Sequence, residues 1–225
     1  MGKLIVIEAG DGSGKATQAK RLLEHLKRAG VNVREVSFPD YESDSSALVK
    51  MYLRGDFGRS AEDVNAYAAS AFYAVDRFAS FRTQWRRDYE RETVILADRY
   101  VTSNMVHQAV KIEDPSDRKA FIDWVDDFEY EKLGLPRPDL VFFLDMKPEV
   151  SARLIARRAK MSGQAEDIHE KDRTYLVKCH ELYSALAKER GWVTIKADDG
   201  DEPRGVDEVH EDVWKHVQSL IDFCC

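Results

Sequence analysis

Apolar residues along this chain fall in short runs that alternate with longer stretches of helical spacing. Leu4-Ile5-Val6-Ile7 is a continuous apolar run of strand length, and Ala19, Leu22, Leu23 and Leu26 recur after it at the period of a helix face. Gly30 stands where that helix would take its C-cap. Residues 31–38 contain a second strand, which Pro39 ends. Residues 45–53 have helical character, and Gly55 and Gly58 break it. Ser60 with Asp63 has the form of a capping box. The stripe that follows, Val64, Tyr67, Ala68, Ala71, Phe72, Val75 and Phe78, predicts a helix that continues with a bend to about residue 89. Residues 93–97, 139–145 and 192–196 are three more strand-length runs. Between and after them, Asp114-Pro115 opens a helix with Phe121, Trp124, Val125 and Phe128 on its face, and Gly134 and Pro136 close it. Pro148 starts a helix through Leu154 that runs into a basic patch, 157–163. Tyr175, Leu176, Cys179, Leu182, Tyr183 and Leu186 share a face of the next helix, and Val206, Val209, Val213, Val217 and Leu220 share one on the last. Five strands alternating with helices predict an α/β fold, a mostly parallel sheet with helices on both faces.

Composition narrows the function classes. A chain of 225 residues fits one domain, 1–225, better than two, and 44% apolar content suffices for a packed core. A net charge of −7 argues against a nucleic-acid scaffold, so an anionic ligand needs a local cationic pocket. The apolar runs are too short to span a membrane, and the first strand begins too early for a signal peptide. Cys179, Cys224 and Cys225 make no disulfide framework, so a cytoplasmic setting is expected. Cys179 reads as core, and the last two cysteines read as a frayed tail.

The chemistry begins at Glu8-Ala9-Gly10-Asp11-Gly12-Ser13-Gly14-Lys15-Ala16-Thr17-Gln18, between the first strand and the first helix. Strand, glycine-rich turn, Gly-Lys and helix is the context of a phosphate-binding loop. Successive N–H groups in such a turn make an anion-binding concavity, to which the helix N-terminus adds free donors and a positive dipole end. Lys15 brings a full charge to the outer phosphates. ATP-binding residues are expected at Gly10, Asp11, Gly12, Ser13, Gly14, Lys15, Ala16 and Thr17. The usual pattern has glycine where this chain has Ala9 and a Mg²⁺-reaching hydroxyl where it has Ala16. Asp98-Arg99-Tyr100 ends the third strand, and carboxyl ends of strands are where open α/β sheets bind ligands.

With Phe38-Pro39, Phe72…Arg77, Asp98-Arg99-Tyr100…Ser103…Gln108, Pro138-Asp139-Leu140-Val141…Leu144-Asp145 and Arg153…Arg157 before Asp167…Glu170, the chain resembles the thymidylate kinase family of P-loop nucleoside monophosphate kinases. The resemblance runs in order over nearly the whole chain. It implies a P-loop NTPase fold of five strands with a mobile lid at about 153–170, and transfer of the γ-phosphoryl group of ATP to dTMP with Mg²⁺. Phosphoryl transfer needs two anions held in line with their charge neutralised, which two acceptor-side arginines and a basic lid would supply. The resemblance places Arg99 on the acceptor phosphate and Arg77 as a second acceptor-site arginine. It puts Phe72 on the thymine ring, Ser103 and Gln108 near the base, His107 beside the sugar, Asp11 on the sugar 3′-hydroxyl and Phe38 in the acceptor wall. Lys15, Arg99, Arg153 and Arg157 are the expected catalytic residues, Arg158 joins the ATP site, and Asp98 is the candidate metal ligand. It also implies a homodimer, for which the apolar faces at 64–78 and 102–110 are candidates.

Some members of the family carry a catalytic arginine inside the loop, where this chain has Gly12; others place arginines in the lid, as Arg153, Arg157 and Arg158 stand here. Tyr41 lies near where relatives often have a phosphate-binding arginine, and His107 takes a position often Tyr or Phe. Two other readings follow from these departures. One is a kinase for another pyrimidine deoxynucleotide. The other is a nucleotide-binding protein with weak catalysis, owing to Ala9 and Ala16.

Overall fold

The computed structural model describes residues 1–58, 60–162 and 173–221, without the side chains of residues 61 and 158–162. In chain order its main elements are β1 (Leu4–Ala9), α1 (Lys15–Arg28), β2 (Val33–Ser37), α2 (Ala47–Arg54), α3 (Ala66–Ser80), α4 (Arg86–Glu90) and β3 (Val94–Asp98). Then come α5 (Val101–His107), α6 (Pro115–Asp126), β4 (Leu140–Asp145), α7 (Pro148–Ser162), α8 (Arg173–Arg190), β5 (Val193–Lys196) and α9 (Val206–Leu220).

The five strands form one sheet in the order β2-β3-β1-β4-β5, and every neighbouring pair is parallel. Because β1 is central, all six of its residues are buried, and the run reads as continuously apolar until Glu8. Its side chains alternate between two cores. Leu4 and Val6 pack with Tyr100, Met105, Phe121 and Tyr183 on one face, while Ile5, Ile7 and Ala9 pack with Leu22, Leu26, Val213 and Val217 on the other. The chain runs to β2 and β3 on one side of β1 and to β4 and β5 on the other. The crevice outside the carboxyl end of β1 is therefore the place for a ligand.

Three departures from the expected pattern bear on function. The box of Ser60 and Asp63 closes a separate 3-10 turn, Ala61–Asp63, and α3 begins at Ala66, where Asn65 Oδ1 accepts from Ala68 N at 2.8 Å. Along α3 the apolar stripe faces outward: Tyr67, Val75 and Phe78 are 46, 49 and 37% exposed, while Ser70, Asp76, Arg77 and Ser80 are buried. The inward face carries polar groups because it walls a cavity and answers buried partners there. By contrast α5 is buried at Val101, Thr102, Ser103, Asn104, Met105 and Val106, so its apolar face belongs to the core. The bend expected before residue 89 is a wide π turn, Phe81–Trp85. A second π turn, Asp127–Lys132, follows α6 and holds the fully buried Glu129. Cys179 is buried as expected, whereas Cys224 and Cys225 lie outside the described residues.

Candidate active site

The glycine loop lines one cavity. Gly10, Asp11, Gly12, Ser13, Gly14, Lys15, Ala16 and Thr17 form its floor, with Arg99, Leu154 and Ile155 around them. Gly14 precedes α1 with φ 80° and ψ 13°, and no side chain caps the helix. Its first N–H groups are thus available to an anion. Gly12 has φ 77°, and a Cβ there would stand 2.7 Å from Ile155 Cγ1 and 2.8 Å from the Ser151 carbonyl oxygen. The loop is glycine at this point because α7 lies against it.

Lys15 pairs with Asp98 across the mouth of β3. Burial, and then the charge of Arg99, lower its ammonium to about 7, against the pull of Glu8 and Asp11. A phosphate placed here restores the charge. Ala16 lines the cavity but offers no oxygen ligand from its side chain.

A second cavity adjoins the first. Its lining is Asp11, Phe38, Pro39, Tyr41, Leu53, Tyr73, Arg77, Arg99, Ser103, Asn104, His107 and Gln108. Asp11 and Arg99 border both cavities. Arg99 follows β3 in the left-handed region, φ 66°, with its N–H donating to the Ile7 carbonyl at 3.1 Å. That conformation is rare for a residue with a Cβ and aims the side chain between the strand ends. The guanidinium binds Asp11 and donates through Nη1 to His107 Nε2 at 2.9 Å and to Ser103 Oγ and Tyr183 Oη at 3.4 Å. Burial works against its charge, yet Asp11, Tyr183 and Glu8 outweigh burial and hold its pKa above the ordinary value. Since a guanidinium can only donate, His107 Nε2 accepts and Nδ1 carries the proton. Nδ1 then donates to Tyr175 Oη at 3.0 Å, and Tyr175 returns its own proton to the His107 carbonyl at 3.0 Å.

Arg77 lies deeper. It is 2% exposed and makes a two-pronged contact with Glu129, 2.7 Å from Nε to Oε2 and 2.6 Å from Nη2 to Oε1. Asn104 Nδ2 adds a third donor to Glu129 at 2.8 Å. Behind Arg99, the buried Glu8 carboxylate accepts from Tyr100 N, Thr102 Oγ1, Ser103 Oγ and Tyr183 Oη at 2.6–3.0 Å. This ties β1, α5 and α8 together beneath the cavity. Gln108 is 1% exposed, and its Oε1 has no hydrogen-bond partner among the described residues.

Several expected residues stand elsewhere. Phe72 is outside the second cavity and packs against Phe57, ring centroids 5.5 Å apart; Tyr73 takes the inward place. Helical geometry explains the shift, because Tyr73 is one turn before Arg77 and shares its face, whereas Phe72 is turned to the flank. Arg153 points away from the loop: it donates to the Asp201 carbonyl and lies 3.6 Å from Glu202. Leu154 and Ile155 occupy the loop-facing side of α7 instead. Arg157 is exposed and outside both linings, and Asp98 is engaged by Lys15. The side chain of Arg158 and the lid residues 163–170 lie outside the described residues. Tyr73, Asn104 and Glu129 are among the residues that sequence reasoning missed. Counting back four from Arg77 and from Gln108 identifies the first two; Glu129 has no local signal.

A parallel sheet with a glycine loop at its central strand, joined through a shared arginine to a second cationic cavity, defines a P-loop nucleoside monophosphate kinase. The comparisons specify which. Residues 7–213 match the family model described as Thymidylate kinase. A thymidylate kinase of Mycobacterium tuberculosis is 33% identical over 193 residues, spanning 84% of this chain and 87% of the relative. That of Caenorhabditis elegans is 30% identical over 229 residues, spanning 97% and 91%. The solved thymidylate kinase of Candida albicans shares the fold, with TM-score 0.70 at 21% identity over 97% of this chain and 92% of that one. The chain belongs to the thymidylate kinase family, the enzymes that phosphorylate dTMP with ATP.

Proposed function

We propose that the two joined cavities are the donor and acceptor halves of one phosphoryl-transfer site, with ATP on the glycine loop and dTMP in the second cavity. The observation that carries this reading is that Arg99 and Asp11 border both cavities, so one cation stands where donor and acceptor phosphates meet. The N–H groups of Gly10–Thr17 and Lys15 bind the triphosphate. Arg99 neutralises the acceptor phosphate, while Arg77 and Tyr73 face the nucleoside, with Ser103, Asn104, His107 and Gln108 around it. Asp11 reaches the sugar. Arg153, Arg157 and Arg158, in a lid spanning about 153–170 of a single domain, approach the donor only on closing.

Mg²⁺ is the expected metal. The donor set suits it: two carboxylates stand at the loop, Asp11 paired with Arg99 and Asp98 paired with Lys15, and Mg²⁺ is commonly held by one or two carboxylates with phosphate oxygens and water. Asp98 would hold the ion, which supplies charge neutralisation between the phosphates. Pairing of two chains is read from α3, whose Val75 and Phe78 are exposed, and from Phe57, 38% exposed and packed on Phe72 of the same helix. No helix of the described residues is long and apolar enough to cross a membrane, and a cytoplasmic setting fits the reducing chemistry of a buried free Cys179.

A coupled ADP-release assay over a panel of nucleoside monophosphates tests the reading. dTMP is expected to give the highest kcat/KM. Preference for another nucleotide overturns the substrate, and tight ATP binding without turnover overturns the catalysis.

A further inference from the structure

Lys111 takes no part in either cavity lining, yet its ammonium is half-buried and held by protein groups. It closes the 3-10 turn Ala109–Lys111 that follows Gln108. Its Nζ donates to Tyr52 Oη at 2.8 Å and to the Val64 carbonyl at 3.1 Å, and it lies 5.0 Å from the centroid of the Tyr52 ring. Burial lowers this ammonium to about 8, with Glu62 the carboxylate that opposes the shift. A partly desolvated ammonium bonded to neutral oxygens is a costly way to anchor a turn. What it reaches makes the difference. Tyr52 is 1% exposed, and its ring stands edge-on to Tyr73, centroids 6.4 Å apart at 87°. Tyr73 and Leu53, the neighbours of these contacts in space and in sequence, both line the second cavity.

We infer that Lys111 is a positioning residue for the acceptor: by gripping Tyr52 and the chain at Val64, it fixes α2 and the Tyr73 ring as one wall of the nucleoside pocket. The inference rests on reading that cavity as the monophosphate site. Its consequence is selective. Loss of the grip loosens the acceptor wall and leaves the glycine loop untouched.

Steady-state kinetics on Lys111→Met, Lys111→Arg, Tyr52→Phe and Tyr73→Ala test it. Lys111→Met is expected to raise KM for dTMP about tenfold with kcat and KM for ATP within about twofold, and Lys111→Arg to recover most of that loss. Tyr52→Phe, which removes one oxygen and keeps the packing, is expected to raise KM for dTMP about threefold and carries the test should Lys111→Met not fold. An unchanged KM for dTMP in both Lys111→Met and Tyr52→Phe overturns the role, as does a loss shared equally by both substrates. Tyr73→Ala separates the two readings: if it also leaves KM for dTMP unchanged, the cavity is not the monophosphate site.

Discussion

The two cavities are made in opposite ways. The cavity proposed for the donor draws eight residues from one uninterrupted stretch, 10–17, and offers main-chain N–H groups and one lysine. The cavity proposed for the acceptor draws its wall from separated stretches, at Asp11, at Phe38, Pro39 and Tyr41, at Leu53, on α3 and from Arg99 through α5 to Gln108, and offers side chains. Those side chains are themselves held by buried groups that line neither cavity, Glu8 and Glu129 above all. Function and stability are therefore separable in the donor cavity and entangled in the acceptor cavity.

Substitutions on either side can break that contrast. Lys15→Ala is expected to lower kcat/KM by roughly two to four orders of magnitude, about 3–5 kcal/mol of transition-state stabilisation. The thermal stability of the same variant is expected to change little, since relief of a desolvated ammonium offsets the loss of its pairing with Asp98; a large loss of thermal stability would erase the distinction. Glu129→Gln should cost about 3 kcal/mol in denaturant unfolding, because Arg77 is left in the interior without its counter-charge. Stability within about 1 kcal/mol of the parent would show that the acceptor site stands without its ion pair. Gly12→Ala, the one donor-side change that should act through structure, is expected to cost about 1–3 kcal/mol and to raise KM for ATP, from its positive φ and the approach of Ile155. On the acceptor side, Tyr73→Ala should raise KM for dTMP about tenfold while Phe72→Ala moves it less than about twofold. The smallest effect is protonic. Burial and Arg99 lower the Lys15 ammonium to about 7 in the free protein, and a bound triphosphate raises its pKa. Binding above pH 7 then takes up a proton, and affinity falls as pH rises. Calorimetry at pH 8 in buffers of differing ionisation heat should detect the uptake in the parent and none in Lys15→Met.

The same contrast explains what could be read from sequence. The strand order of chemistry was legible because β1, β3 and β4 are apolar runs ending in Glu8-Ala9, Asp98-Arg99 and Asp145, and a contiguous loop declares itself as a motif. Residues from distant segments do not. Phe72 fits an apolar stripe better than Tyr73 does, and only the facing of α3, set by Asp76 and Arg77 finding partners inside, reverses the choice. Glu129 is a charged residue in a helical stretch, and nothing nearby in sequence announces that a π turn buries it against Arg77. Arg153 matched a motif position, but the loop near Asp201 engages it.

The contact between Gly12 and α7 also constrains descent. An arrangement with an arginine in the loop is not reached from this one by a single substitution at position 12, because Ile155 and the Ser151 carbonyl occupy the volume the first carbon of any side chain would need. A lineage passing from this arrangement to the other must first reshape or displace the opening turns of α7. The order of changes is thereby imposed by packing, before selection on catalysis can act.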